Sequence, residues 1–426
     1  MWRLNMDNVI DVLKDRGFID AETSPELRQM AEKPMRVYCG FDPSADSLHL
    51  GNLVGIMGLA WFQRYGHTPI ALVGGATGMI GDPSGKSMER QLLSFEIIER
   101  NLIGIKKNLK MILNQGSREL ILVNNLDWFK NFSFIDFLRD TGKFFRLGSM
   151  LAKESVKNRL ESAEGMSFTE FSYQVLQGYD FLHLFENYGV TLQMGGSDQW
   201  GNITAGVELV RKVLGKTVFG LTFPLLVKSD GQKFGKSESG AIWLSSEKLS
   251  PYEFYQFLFR QSDADVVKCL KMLTFIPLEE IRALETSMKN PEYVPNTLQK
   301  RLAEEVTRLV HGEESLQVAL KVTNAAAPGS DTILDAESLE QIAKDMPSAI
   351  LNKEEVIGVK LVDLLVLAKA LNSKSEARKR IANGGIYLNN KKIMDPAQII
   401  TPADLLDNRL LLLSVGKKNK ILVRTN

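Results

Sequence analysis

YCGFDPSADSLHLGN, running from Tyr38 to Asn52, starts inside one apolar run, Val37 to Phe41, and leads through His49, Leu50, Gly51 and Asn52 into a helical pattern that continues to Arg64. A short, mostly apolar run, then a polar turn, then a 3.6-residue periodicity predicts a buried strand that feeds a helix. The same succession recurs outward along the chain. Pro69 to Val73, Leu120 to Val123, Thr191 to Met194 and Phe223 to Val227 have the length of buried strands, and Gln199 to Leu214 has the pattern of a helix. Such alternation predicts an α/β fold, a doubly wound (Rossmann-like) parallel sheet covered on both faces. Ligands of such sheets bind beyond the carboxyl ends of the strands, and most of the unusual polar clusters of this chain directly follow a strand.

After the sheet the pattern changes. From Pro251 to Ala325 it is helical, with amphipathic spacing at Leu302, Val306, Leu309 and Val310. AAAPGSDT, Ala325 to Thr332, has the Pro and Gly of a linker. Two helical patterns follow, Lys360 to Leu371 and Ser373 to Asn383, the second stopped by Gly384 and Gly385. IYL, the pair Asn389 and Asn390, and KKIM then read as a hairpin. The expected organisation is a sheet domain over 1–245, an all-helical domain over 246–325, a linker over 326–344 and a small α+β domain over 345–426.

Charge separates along the same lines. The chain carries +1 overall, but Leu351 to Asn426 holds 14 Lys and Arg against 7 Asp and Glu, which leaves the remainder acidic. A basic terminal module on an acidic body suits a polyanion partner. Hydrophobic residues make up 44% of the 426, yet no apolar run approaches the ~20 residues of a membrane span. The start, MWRLNMDNVIDVLKDRG, reads as an amphipathic helix with acidic residues, unlike a secretion signal or a transit peptide, so a cytoplasmic protein is expected. Cys39 and Cys269 are too few for a disulfide framework, and His49, His67, His183 and His311 have no partners at metal-ligand spacing, so no protein-bound metal site is expected.

Two glycine-rich segments, GDPSGKS at Gly81 to Ser87 and GQKFGKS at Gly231 to Ser237, resemble phosphate-binding P-loops. Each has three residues between its glycines where that loop needs four, which argues against a P-loop nucleotide hydrolase. A weaker reading survives: glycines beside lysines bring backbone close to an anion while a side-chain cation meets its charge.

The segment ending in His49, Leu50, Gly51 and Asn52 resembles the HIGH signature of class I aminoacyl-tRNA synthetases. Paired over a long distance with KFGKS, Lys233 to Ser237, which resembles their mobile lysine loop, the match becomes specific. GGATGMIGDPSGKSMER, FTEFSYQVLQGYDF and QMGGSDQWGNITAG resemble blocks of the bacterial-type tyrosyl enzymes, and the basic end is similar to an RNA-binding module shared with a ribosomal small-subunit protein. The physics agrees, since a glycine in the first turn of a helix lets a nucleotide approach its N-terminus, where phosphate is favoured. One position departs from the signature. Its last histidine is Asn52 here, whose amide can still hydrogen-bond a ribose.

The resemblance implies ATP-dependent activation of L-tyrosine to tyrosyl-adenylate, then transfer to tRNA(Tyr), with Mg2+ accompanying the nucleotide and a homodimer as the working form. It implies that Ser44, His49, Lys86, Arg90, Lys233 and Lys236 clamp the phosphates, and that Cys39, Gly51, Asn52, Gly196 and Asp198 hold the rest of the ATP. Tyr173, Gln177 and Asp180, spaced four and three apart on one apolar helix, form a polar stripe. By itself such a stripe reads slightly better as groups that satisfy neighbouring backbone, and the resemblance reverses that weighting. The resemblance implies that Tyr173, Gln177 and Asp82 receive the tyrosine ammonium, that Asp180 and Tyr38 bind its phenol, and that Gln193 and Gln199 border the pocket. Lys374, Arg378, Lys379 and Arg380 on one helix, with Lys391 and Lys392 on the hairpin, are the candidate RNA contacts. A tryptophanyl-type synthetase and a non-enzymatic RNA-binding protein are the alternatives; the first lacks use for a phenol acceptor, the second for the paired nucleotide motifs.

Overall fold

The computed structural model describes residues 8–84, 92–116, 118–161, 165–231, 234–237, 240–325, 336, 339–340, 347–416 and 419–426. Six strands form the main sheet: β1 (Ala21–Glu22), β2 (Arg36–Phe41), β3 (Thr68–Val73), β4 (Ile121–Asn124), β5 (Val190–Gly196) and β6 (Phe219–Phe223), in spatial order β1-β6-β5-β2-β3-β4. All neighbours are parallel except β1, which pairs antiparallel with β6 at the edge. From β2 the chain winds outward through β3 to β4, then returns to the other side of β2 for β5 and β6. The winding direction therefore reverses between β2 and β5, where Tyr38 stands opposite Gln193 and Cys39 opposite Met194. Such a switch point opens a crevice at the strand ends.

Local sequence accounts for these elements. Pro69 to Val73 is buried throughout, as a strand covered on both faces requires. The helix α1 (Leu50–Arg64) begins where the sequence predicts. His49 caps it: its Nδ1 accepts from the Gly51 N–H at 3.1 Å, while its own N–H donates to Asn52 Oδ1 at 3.0 Å, a reciprocal pair that satisfies otherwise orphaned donors. Helix α2 (Phe168–Tyr188) is capped by Ser167, and α3 (Trp200–Leu214) starts one residue later than expected, after a 3-10 turn over Ser197–Gln199. The expected strand Phe223 to Val227 is corrected to Phe219–Phe223. Pro224 has no N–H to give a central ladder, and Gly220 and Thr222 disguise a run that is buried in full.

The chain forms two compact units, 1–249 with 257–310 and 250–256 with 311–426. The stretch expected to be helical is so, over Pro251–Phe259, Asp263–Leu273, Leu278–Ser287 and Thr297–Ala325, the last interrupted at Gly312. Residues 326–332 of the expected linker lie outside the described residues. No helix among the described residues is long and apolar enough to cross a membrane.

In the basic module, helices span Leu361–Leu367 and Lys374–Ala382. The first is shorter than expected, ending before Lys369, whose φ of 58° is left-handed. The hairpin is present, Ile386–Leu388 and Lys391–Ile393 joined by Asn389 and Asn390 at φ 46° and 67°, the conformation that a two-residue turn demands. The sequence reading missed the strands Ser348–Leu351, Leu410–Val415 and Asn419–Thr425, which with the hairpin make a five-stranded sheet. Leu361, Leu365, Ala377, Ile381, Leu411, Leu413 and Val423 pack into its core.

Candidate active site

A cleft of about 620 Å³ opens at the switch point. At its deep end lies Asp180 on α2, 2% exposed. Its Oδ2 accepts from Asn125 Nδ2 at 3.1 Å and its Oδ1 from Trp128 Nε1 at 3.0 Å. Burial pushes this carboxyl well above the ordinary aspartate range, against the two donated bonds, which favour the anion. The Tyr38 hydroxyl, on β2, is also fully buried and has no hydrogen-bond partner among the described residues. Burial first and the Asp180 charge second raise its pKa well above that of a free phenol, so it stays a neutral donor. Its ring meets Phe181 edge-on at 5.3 Å. An acceptor and an unspent hydroxyl thus line the same cleft.

Toward the middle of the cleft the polar groups interlock. Tyr173 donates its hydroxyl to Asp42 Oδ2 at 2.7 Å, and Thr77 donates to Asp42 Oδ1 at 2.7 Å. Asn125 donates to Thr77 Oγ1 at 2.9 Å as well as to Asp180, so one chain of bonds runs between the two carboxylates. Opposite, Gln199 Nε2 donates to Asp82 Oδ2 at 2.7 Å, and the Ser84 N–H donates to Asp82 Oδ1 at 3.0 Å. The amide oxygens of Gln177 and Gln193 are buried without partners among the described residues. Two carboxylates, Asp42 and Asp82, and two unspent amide oxygens make this part of the cleft a site for a cation with N–H groups to donate.

The outer part is built on the N-terminus of α1. A Cβ on Gly51 would stand 2.9 Å from the His49 ring, so only glycine leaves this turn open. Leu48, His49 and Leu50 run beside Ile242, Trp243 and Leu244: the Leu50 N–H donates to the Ile242 carbonyl at 2.8 Å and the Leu244 N–H to that of Leu48 at 2.9 Å. The Ile242 N–H in turn donates to the Gly235 carbonyl at 2.9 Å. Gly235, at φ +86°, is held so close that a Cβ there would lie 3.0 Å from the Gly51 nitrogen. The two motifs separated by some 180 residues are therefore joined by backbone. Cys39 lies under α1, where a Cβ on Gly55 would stand 3.3 Å from its sulfur; burial pushes its thiol up to about 12, so it is no nucleophile. Ser44, Asn52, Gly196 and Asp198 line the same end.

The structure thus gathers Tyr38, Cys39, Ser44, His49, Gly51, Asn52, Asp82, Tyr173, Gln177, Asp180, Gln193, Gly196, Asp198 and Gln199 around one cleft. Lys86, Arg90 and Lys233 lie outside the described residues. Lys236 is described in its backbone, in a two-residue strand paired with Gly240–Ala241. Sequence reasoning missed Asp42, Thr77, Asn125 and Trp128. Asp42 and Asn125 each follow directly on a sheet strand, a position that could have flagged them. In the basic module Lys374, Arg378, Lys379, Arg380, Lys391 and Lys392 are all exposed. Lys392 of the hairpin reaches over Gly384, just beyond the helix Lys374–Ala382.

Comparisons with known proteins identify the family. Residues 30–327 match the family described as tRNA synthetases class I (W and Y), and residues 338–423 match the tyrosine–tRNA ligase SYY-like C-terminal domain. The chain is 65% identical to tyrosine–tRNA ligase of Protochlamydia amoebophila, over 98% of this chain and 99% of that one. It is 54% identical to the chloroplastic/mitochondrial tyrosine–tRNA ligase of Arabidopsis thaliana, over 98% and 83% respectively. Among solved structures, a C-terminally truncated mitochondrial tyrosyl-tRNA synthetase from Aspergillus nidulans superposes with a TM-score of 0.65 at 32% identity, covering 74% of this chain and 92% of that one. The chain belongs to the tyrosine–tRNA ligases, within the class I aminoacyl-tRNA synthetases.

Proposed function

We propose that this cleft binds L-tyrosine with its phenol between Asp180 and Tyr38 and its ammonium among Tyr173, Gln177 and Asp82, and there activates it with ATP. The observation that carries the reading is the buried Asp180 carboxylate facing a Tyr38 hydroxyl without a partner. A site that hydrogen-bonds a phenol leaves buried polar groups unpaired when phenylalanine enters, and so selects without editing; tyrosyl enzymes are themselves the standard example of the rule. Among the described residues, a carboxyl acceptor and an unspent hydroxyl at Asp180 and Tyr38 suit a phenol better than an indole.

The tyrosine carboxylate attacks the α-phosphate of ATP, giving tyrosyl-adenylate and pyrophosphate, and the adenylate then acylates the 3′ end of tRNA(Tyr). Such chemistry depends on positioning and on neutralising charge that develops on phosphate oxygens. His49 and the first-turn amides of α1 meet the phosphates, with Ser44, Lys86, Arg90, Lys233 and Lys236 supplying further contacts and Mg2+ travelling with the nucleotide. Gly51 leaves room for the base, and Cys39, Gly196 and Asp198 border the ribose. Asn52 accepts the His49 main-chain N–H through its amide oxygen, which leaves its NH2 group to meet the ribose.

The segment 246–325 and the module 345–426 serve the tRNA, the latter through its exposed lysines and arginines. A homodimer is supported by large apolar side chains left exposed between Phe134 and Phe168, among them Ile135, Leu147 and Leu160; sedimentation would test it. A cytoplasmic setting is supported by two buried cysteines that remain free thiols. The primary test is exchange of labelled pyrophosphate into ATP without RNA. Exchange with tyrosine, and not with phenylalanine or tryptophan, is the expected result; no exchange with any of them would refute the reading.

A further inference from the structure

The indole that donates to Asp180 is itself held from behind. Trp128 stacks on His183 with ring centroids 4.3 Å apart and planes inclined by 19°. His183 lies three residues after Asp180 on α2, so one helix face carries both the acceptor and the ring that backs its donor. The imidazole is itself fixed: Asn187 Nδ2 donates to the His183 carbonyl at 3.0 Å and lies 3.3 Å from Nδ1. Because the carbonyl can only accept, it sets the orientation of the Asn187 amide. Nδ1 therefore faces a donor, the proton sits on Nε2, and the ring is neutral, a state that partial burial also favours. Tyr179 and Tyr188 flank it at 6.2 and 6.4 Å.

We infer that His183 is a positioning residue for amino-acid selection: by stacking on Trp128 it keeps the indole N–H on Asp180, and so keeps that carboxylate aimed at the substrate phenol. The inference rests on the reading of Asp180 as the phenol acceptor. A hydrogen bond to a buried carboxylate is sensitive to angle, and an indole without its stacking partner can tilt.

The test is tyrosine-dependent and phenylalanine-dependent pyrophosphate exchange by the wild type, His183→Ala, His183→Phe and Trp128→Phe, and by the double variant Trp128→Phe/His183→Ala. His183→Ala is expected to raise KM for tyrosine about 2- to 10-fold, the size of one aromatic pair, with KM for ATP unchanged and tyrosine-over-phenylalanine preference lowered by the same factor. His183→Phe, which restores a flat ring, should recover most of the loss, and His183→Ala should add nothing once Trp128 is Phe. The preference is a ratio within one sample, so partial misfolding does not mimic the effect. An unchanged ratio in His183→Ala, failure of His183→Phe to rescue, or an equal additional loss in the Trp128→Phe background would overturn the inference alone. Wild-type protein that fails to exchange with tyrosine would overturn the reading of the cleft and this inference together.

Discussion

Asn125 donates to Asp180 over 3.1 Å and to Thr77 over 2.9 Å, and Thr77 passes the chain to Asp42, which accepts from Tyr173. Asp180, the proposed phenol acceptor, and Tyr173, proposed to meet the ammonium, are thus linked through one asparagine. Asp180→Asn should raise KM for tyrosine about 10- to 100-fold, because one carboxyl oxygen that accepts becomes an NH2 that can only donate, and leave phenylalanine activation nearly as it was. Exchange kinetics with both amino acids decide it.

Gly51→Ala puts a methyl 2.9 Å from the His49 ring and beside the Gly235 turn. A loss of kcat/KM for ATP of about 10- to 100-fold is expected, on the scale of one misplaced transition-state contact, while KM for tyrosine holds. An equal loss for both substrates would mean that the substitution disturbs the sheet, not the nucleotide end.

Deleting residues 345–426 should abolish tRNA charging and spare pyrophosphate exchange. In the full chain, Arg378→Ala and Lys392→Ala should each weaken tRNA binding and reduce the slope of log affinity against log salt by roughly 0.7 to 1 per lost phosphate contact. Binding isotherms at several salt concentrations provide the slope.

Arg159 and Glu170 form an ion pair at 2.8 Å with side chains only 1% and 3% exposed. Glu170→Ala removes the carboxylate that meets this buried guanidinium and should destabilise the fold by about 3 to 5 kcal/mol. Urea titration followed by circular dichroism should show the midpoint fall; a shift under 1 kcal/mol would contradict the burial of the pair.

His67, buried against Phe62 with Nδ1 accepting from the Met35 N–H, has its pKa lowered from 6.5 to about 4 by burial. Between these values the unfolded chain binds the extra proton and the folded one does not, so the contribution of His67 is present above pH 6.5 and lost as pH falls toward 4. Stability relative to His67→Gln should therefore decline across that window. Denaturant midpoints of both proteins at pH 7.5, 6 and 5 measure it.

Much of the sheet was legible because its strands are short apolar runs bracketed by polar turns, and α1 was placed to the residue, since His49 and Asn52 form a cap at one end. The last strand was misread where Gly220 and Thr222 lower its apolarity and Phe223 to Val227 mimics it. The strands Leu410–Val415 and Asn419–Thr425 went unread because the first is apolar without alternation and the second mixes Lys and Arg with its core positions. Within the site, residues on known motifs were found, whereas Thr77, Asn125 and Trp128 act through contacts 48 to 55 residues apart in sequence. No local pattern reports such pairings.

The tie between the first turn of α1 and Gly235 is made of main-chain amides and carbonyls. Such a seam is indifferent to most side chains, so Leu50 and Ile242 could drift to other apolar residues over many generations without parting it. Gly51 and Gly235 have no such latitude. Engineering of the nucleotide end is therefore best directed at the walls around this seam, with the two glycines left alone.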